Sequence, residues 1–177
     1  TSPTLGMGTS AATISVQWVN VSDIVVQPSN AYLEFDTSAV PSTITSAKLK
    51  IYVSAVASSG APDFYILRAF FASAGSLSAA DQASYTRDAS GATPDVGDIT
   101  KYSAKLDGDM TTGQYHELTL NSTALSDMVS KDDFQIAIVC EQLSDQTSAN
   151  PNDGQTINFT FRSQNHSDSA TRPVLSY

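Results

Sequence analysis

The sequence predicts an all-β protein: an antiparallel β-sandwich of jelly-roll type, closed at one end by a single short plug helix. Three observations predict it. Apolar residues recur with period two along several short segments, as half-buried strands require. Ser and Thr number 26 and 18, a quarter of the 177 residues, and their side chains compete with the helix for backbone hydrogen bonds. Nine such segments follow one another without a long helical pattern between them, which argues two packed antiparallel sheets.

The first strand is read over Thr13 to Val19, followed by short ones at Asp23 to Val26 and Tyr32 to Phe35. Ser46 to Val56 alternates most clearly. Ala47, Leu49, Ile51, Val53 and Ala55 share one face, and Lys48, Lys50, Tyr52 and Ser54 the other. One buried and one wet face is what an antiparallel sheet presents. Phe64 to Phe71 comes next. The second half adds Tyr115 to Leu120, Phe134 to Cys140, Thr156 to Arg162 and Val174 to Tyr177. The expected inward sets are Phe134, Ile136, Ile138 and Cys140 in one of these strands, and Ile157, Phe159 and Phe161 in another. The helix is capped by Asn121 or Ser122 and carries an apolar stripe of Leu125, Met128 and Val129 at i, i+3 and i+4. Lys131 near its end suits the helix dipole.

Two polar stretches are read as excursions from the sheets: Ala72 to Lys101, and Leu143 to Gln155 with Pro151 and an Asn152-Asp153-Gly154 turn. The first, at about 30 residues, is long for a plain connection, so it is either functional or irregularly structured. Neither an interdomain linker nor an internal repeat is evident, and residues 1–177 read as one domain.

Composition bounds the function. Apolar residues make up 41% of the chain, enough for a core, while charged residues make up only 15% against about 25% in an average soluble domain. A net charge of −9 with only 9 Lys and Arg leaves no cationic stripe to displace counterions from phosphates, which argues against nucleic acid. No apolar run reaches the roughly 18 to 20 residues of a membrane-spanning helix. Cys140 is the one cysteine, so no internal disulfide forms, and no Cys/His cluster has zinc-ligand spacing. The chain opens Thr1-Ser2-Pro3 with neither Met nor a basic n-region. Asn-x-Ser/Thr sequons begin at Asn20, Asn121, Asn158 and Asn165; in a chain this rich in hydroxyls, chance supplies several.

Four segments resemble the DNRLRE family of carbohydrate-binding-module-like β-sandwiches. They are Ala31-Tyr32-Leu33-Glu34-Phe35-Asp36, the strand Ile44 to Val53, Tyr115 to Asn121 with the helix after it, and Phe161-Arg162-Ser163 leading to Arg172-Pro173-Val174-Leu175-Ser176-Tyr177. Together they cover about half the chain in the family's order. Two departures stand beside them: Ala72 to Lys101 contains no Trp, and the Asp-Asn-Arg-Leu-Arg-Glu string is absent. The resemblance implies a non-catalytic jelly-roll module of the kind found on secreted enzymes, surface proteins and phage structural proteins, and it brings no catalytic residue.

The residues offer several candidate chemistries. Ser163, His166 and Asp168 have the residue types of a hydrolase triad, but triads are assembled from distant segments, and a polar loop produces this composition by itself. His116 and Glu117 are neighbours on a strand and so point to opposite faces. Paired carboxylates such as Asp107 and Asp109, or Asp132 and Asp133, sit in turns, where Asp bonds its own backbone; glycoside hydrolysis needs two of them about 5 to 9 Å apart. Calcium is the better use for turn carboxylates, because it accepts loop oxygens without strict spacing. The candidate ligands are Asp107, Asp109 and Asp153. Sugar binding calls for aromatic rings, and the candidates facing outward are Tyr52, Tyr102 and Tyr115, none forming an evident platform pair. Trp18 alternates with Ile14 and Val16 and is read as inward.

Three functions follow in order of preference. The first is a structural or attachment module on an extracellular or virion surface, such as a decoration or fibre component, with protein neighbours or further copies of itself as partners. It rests on the hydroxyl-rich, low-charge strand faces. The second is a carbohydrate-binding module with glycan partners, resting on the family resemblance. The third, an enzyme, requires two buried carboxylates close together in a cleft. The chosen reading is non-catalytic.

Overall fold

The computed structural model describes residues 13–21, 24–25, 30–57, 60–69, 100–140 and 156–177, the first two segments by backbone alone. Nine strands and one α-helix are present among them: β1 (Thr13–Val21), β2 (Ile24–Val25), β3 (Ala31–Asp36), β4 (Lys48–Val56), β5 (Phe64–Arg68), β6 (Gln114–Thr119), α1 (Ser122–Ser130), β7 (Asp133–Cys140), β8 (Thr156–Arg162) and β9 (Val174–Ser176). The expected excursions at 72–99 and 143–155 lie outside the described residues, as do positions 70 and 71 of the expected strand Phe64 to Phe71.

The strands form two antiparallel sheets. The larger has the order β2-β1-β8-β4-β6, with β9 also paired to β4; the smaller has the order β3-β7-β5. From β2 to β8 each successive strand lies in the sheet opposite its predecessor. One edge of β4 serves two partners: β9 lies along Lys48–Lys50, and β8 pairs from Val53 to Val56 across a register shift between Val53 and Ala55. The period-two pattern of β4 is buried from Leu49 through Ile51 to Val53, but Ala55, expected on the same inward face, is exposed: the register shift between Val53 and Ala55 breaks the alternation, and Val56 packs on the core instead. Leu49, Ile51 and Val53 meet Leu33, Phe35, Phe64, Ile66, Phe134, Ile136 and Ile138 of the smaller sheet in one core. Phe64 of β5 and Phe159 of β8 join the two layers at a ring separation of 5.1 Å.

Four findings amend the sequence reading. In β7 the expected inward set is buried, but so are Ala137 and Val139 on the other face; a strand covered on both sides loses its alternation and reads as a continuous apolar run. Second, residues 100–106 extend the smaller sheet beyond β5: Arg68 N donates to Thr100 O (2.9 Å), Tyr102 N to Ile66 O (2.7 Å) and Leu106 N to Phe64 O (2.8 Å). Third, α1 is capped by Asn121, whose Oδ1 accepts from Ala124 N at 3.1 Å, while its Nδ2 donates to Lys101 O at 2.8 Å. The cap therefore ties the helix to the 100–106 segment. Fourth, the helix buries Ala124, Asp127 and Met128, with Leu125 half-buried and Val129 exposed. The buried stripe is turned towards Asp127, because partners for that carboxylate lie inside, a fact that hydrophobicity alone does not carry.

Candidate functional site

The outward face of the larger sheet gathers most of the candidate residues. With Leu49, Ile51, Phe159 and Phe161 turned inward, alternation places Lys48, Lys50, Tyr52 and Arg162 outside. Register then sets Tyr52 opposite Tyr115 and Lys50 opposite Glu117 across the β4–β6 ladder. Glu117 accepts from Lys48 Nζ at 2.6 Å and lies 2.7 Å from Lys50 Nζ. The hydrogen bonds of the two ammonium groups, Lys48 first, hold its carboxyl down to about 2. Tyr52 and Tyr115 meet edge to face at 5.5 Å and 87°, a contact not legible in the sequence and not a flat platform. The Arg162 guanidinium sits 4.6 Å above the Tyr52 ring and occupies that face.

The loop from Ser163 to Pro173 closes over this pair. Tyr115 Oη lies 2.6 Å from Ala170 O and 2.9 Å from Arg172 O. Burial, chiefly, raises the Tyr115 pKa. Arg162 Nη1 donates to Thr171 Oγ1 at 2.9 Å and pairs with Asp168 at 3.3 Å. Arg172 donates through Nε and Nη2 to His166 O at 3.1 and 3.0 Å. The triad-like residue types are all used in folding this loop. Ser163 is buried with Oγ accepting from Asn165 N, His166 Nδ1 accepts from Asp168 N, and Asp168 Oδ1 accepts from Ala170 N. His116 Nε2 packs 3.1 Å from Thr111 N and 2.9 Å from Thr111 O.

Tyr102 is not outward-facing. It is 1% exposed and stacks on Phe134 at 5.0 Å and 24°. The 100–106 segment pairs with β5, and that pairing turns the ring into the core. Its hydroxyl donates to Asp127 of α1 and accepts from Arg68 Nε at 3.1 Å. Asp127 also receives Arg68 Nη2 and, at 2.9 Å, Lys131 Nζ. Burial works to raise the Asp127 pKa, but the bonds from Tyr102, Lys131 and Arg68 outweigh it and the net shift is downward. Burial first, then the neighbouring carboxylate, pushes the Tyr102 phenol well up. Beside this network, Ala69, Tyr102, Lys131, Asp133 and Gln135 line a cavity of about 220 Å³, smaller than the roughly 300–1,000 Å³ of ordinary ligand pockets. The sequence reading missed this cluster. Its legible signal was an Asp and a Lys four apart, with the Asp beside Met128 on an apolar helical stripe, and an Arg in phase with Phe64 and Ile66.

The turn at Asp107–Asp109 is knit internally. Asp109 N donates to Asp107 Oδ1 at 2.8 Å and Gly108 N to Asp63 Oδ1 at 3.2 Å, while Lys105 pairs with Asp63 at 3.2 Å. No group of three or more His, Cys, Asp or Glu able to hold a metal occurs among the described residues. Asp153 lies outside them, as does the Trp18 side chain, whose backbone lies opposite Ile157. A β-carbon on Gly108 would stand 2.1 Å from Pro62 O, a backbone atom that cannot swing aside. Gly108→Ala is therefore expected to cost about 2 kcal/mol or more of stability, as overpacked sites do. A urea midpoint equal to wild type would refute the close approach.

No known family model matches this chain, and no curated protein matches it.

Proposed function

We propose that this chain is a non-catalytic structural or attachment module of an extracellular or virion surface, folded as a jelly roll. The observation that carries the reading is that the three candidate tyrosines are each engaged within the chain. Tyr52 has Arg162 over its face, Tyr102 is buried, and Tyr115, 37% exposed, has its hydroxyl tied to the loop above it. Flat sugar rings need open aromatic faces, so this arrangement favours a protein-facing role over a glycan-facing one. The interleaved strand order β1-β8-β4-β6 over β3-β7-β5 supports the jelly-roll reading. The segments that resemble the DNRLRE family fall on β3, β4, β6 with α1, and the two strands β8 and β9 that both pair with β4, which supports a related sandwich.

The alternative, a carbohydrate-binding module, rests on that resemblance and on the partly open Tyr115. One experiment separates the two: a screen of the purified chain on a broad glycan and polysaccharide panel, with and without a calcium chelator. Silence across the panel is the expected result. Saturable binding to one sugar class would overturn the structural reading, and its loss with chelator would place calcium at the Asp turns.

A further inference from the structure

Among the described residues, two oppositely charged patches lie on the outer sides of the two sheets. Four of the 9 Lys and Arg lie on the larger sheet's outward side: Lys48 and Lys50 on β4, Arg162 on β8, and Arg172 in the loop above Tyr115. Among the described residues they face two carboxylates there, Glu117 and Asp168, so the described patch is cationic on a protein of net charge −9. On the smaller sheet, alternation with the buried Leu33, Phe35 and Phe134 puts Glu34, Asp36 and Asp133 outward, with the exposed Asp132 just before them; this acidic group sits at one end of the β3–β7 ladder, while Tyr32, Ala137 and Val139 farther along the same side are buried.

The acidic side carries a like-charge conflict. Asp36 and Asp133 are direct cross-strand partners in the β3–β7 ladder, an arrangement that destabilises a sheet when nothing neutralises it. Asp36 is kept ionised by Ser38, whose hydroxyl and then backbone N–H bond the carboxylate and lower its pKa. Among the described residues no cation pairs with Asp36, Asp132 or Asp133; Lys131, their neighbour in sequence, is directed to Asp127.

We propose that a second copy of this chain docks its cationic β4–β8 patch onto the acidic end of the β3–β7 ladder of the first, where Asp36, Asp132 and Asp133 are exposed. The inference rests on the structural reading above and names its partner. The two faces are different surfaces on opposite sides of one sandwich, so the contact is heterologous and repeats into an open row rather than closing as a dimer. At about 3.3 Å per residue and about 4.8 Å per strand, three strand columns along the nine-residue β4 span only about 400 Å². That is small for a stable pair, so single contacts are weak and the row gains strength from number. The overall charge of −9 opposes approach, but at about 0.15 M salt the screening length of about 8 Å leaves contact pairs far less screened than whole-molecule repulsion.

The test is sedimentation velocity of the full chain over rising concentration, at about 0.15 M and about 1 M salt, where screening shortens to about 3 Å. The wild type should gain mass with concentration at the lower salt and return to monomer at the higher. Lys48→Glu with Lys50→Glu, and separately Asp132→Lys with Asp133→Lys, should each abolish association, and an equimolar mixture of the two variants should restore it. If the first variant fails to fold by circular dichroism, Lys48→Ser with Lys50→Ser reads the same face. A wild type that stays monomeric, or variants that associate like the wild type, would overturn the proposal. So would salt-sensitive capture of the wild type on an acidic polysaccharide in place of self-association. A monomeric wild type with a silent glycan panel sinks this pairing of faces alone and leaves the structural reading standing; a positive panel sinks that reading.

Discussion

Replacing Asp127 with alanine is expected to lower the unfolding free energy by about 3 kcal/mol, the low end of the roughly 3–5 kcal/mol lost when one partner of a buried ion pair is removed. The carboxylate is 11% exposed and receives bonds from Tyr102, Arg68 and Lys131, which join β5, the 100–106 segment and α1. Its loss leaves two cations around a site without a counter-charge. The low end applies because the Arg68 and Lys131 side chains keep 25% and 38% of their exposure to water. The acid behaviour follows the same sign. The folded Asp127 has a lowered pKa, so its contribution is fully present above the ordinary aspartate value of about 3.9 and fades as pH falls below it. Urea titrations of wild type and Asp127→Asn should therefore converge as the solution is acidified through that value. A gap that stays constant down to about pH 2, below the ordinary aspartate range, would show that the charge is not what holds the helix.

Phe134→Ala should cost about 3–5 kcal/mol, the range for emptying a fully buried phenylalanine site. Phe134 is wholly inside and its ring is the surface on which Tyr102 stacks. Removing it loosens the phenol that holds Asp127. The double variant with Asp127→Ala should accordingly lose less than the two single losses together, with a coupling of about 0.5–3 kcal/mol between residues in one network. Chemical denaturation of the four chains measures this directly. Additivity to within about 0.3 kcal/mol would mean that the stack and the ion pair act independently.

Those two predictions mark where sequence reading succeeded and where it stopped. The inward phase of β4 up to Val53, and of β8, was legible because alternating burial writes itself into alternating chemistry; the register shift after Val53, which exposes Ala55, was not. Tyr102 was misplaced because its surroundings depend on the pairing of 100–106 with β5, a contact that local periodicity does not encode. Asp127 passed unnoticed because a lone carboxylate on a short helix is usually solvated. Only the arrival of Tyr102 and Arg68, 25 and 59 positions away by the numbering, makes it a buried anchor. The Tyr52–Tyr115 pair illustrates the same limit. Each tyrosine was read as outward on its own strand, but their meeting follows from a β4–β6 register that joins residues far apart in the chain.

The sequence by itself therefore determined the secondary structure class, the capped helix after Asn121 and, for most of each alternating strand among the described residues, which side avoids water. These are local consequences of side-chain chemistry repeating at the period of the backbone. Tertiary structure decided which strands became neighbours, and with them the ion pairs, the ring stacks, the Arg162 cover over Tyr52 and the division of charge between the two outer faces. Those properties, seen among the described residues, depend on long-range pairing, where one register choice sets many side-chain contacts at once.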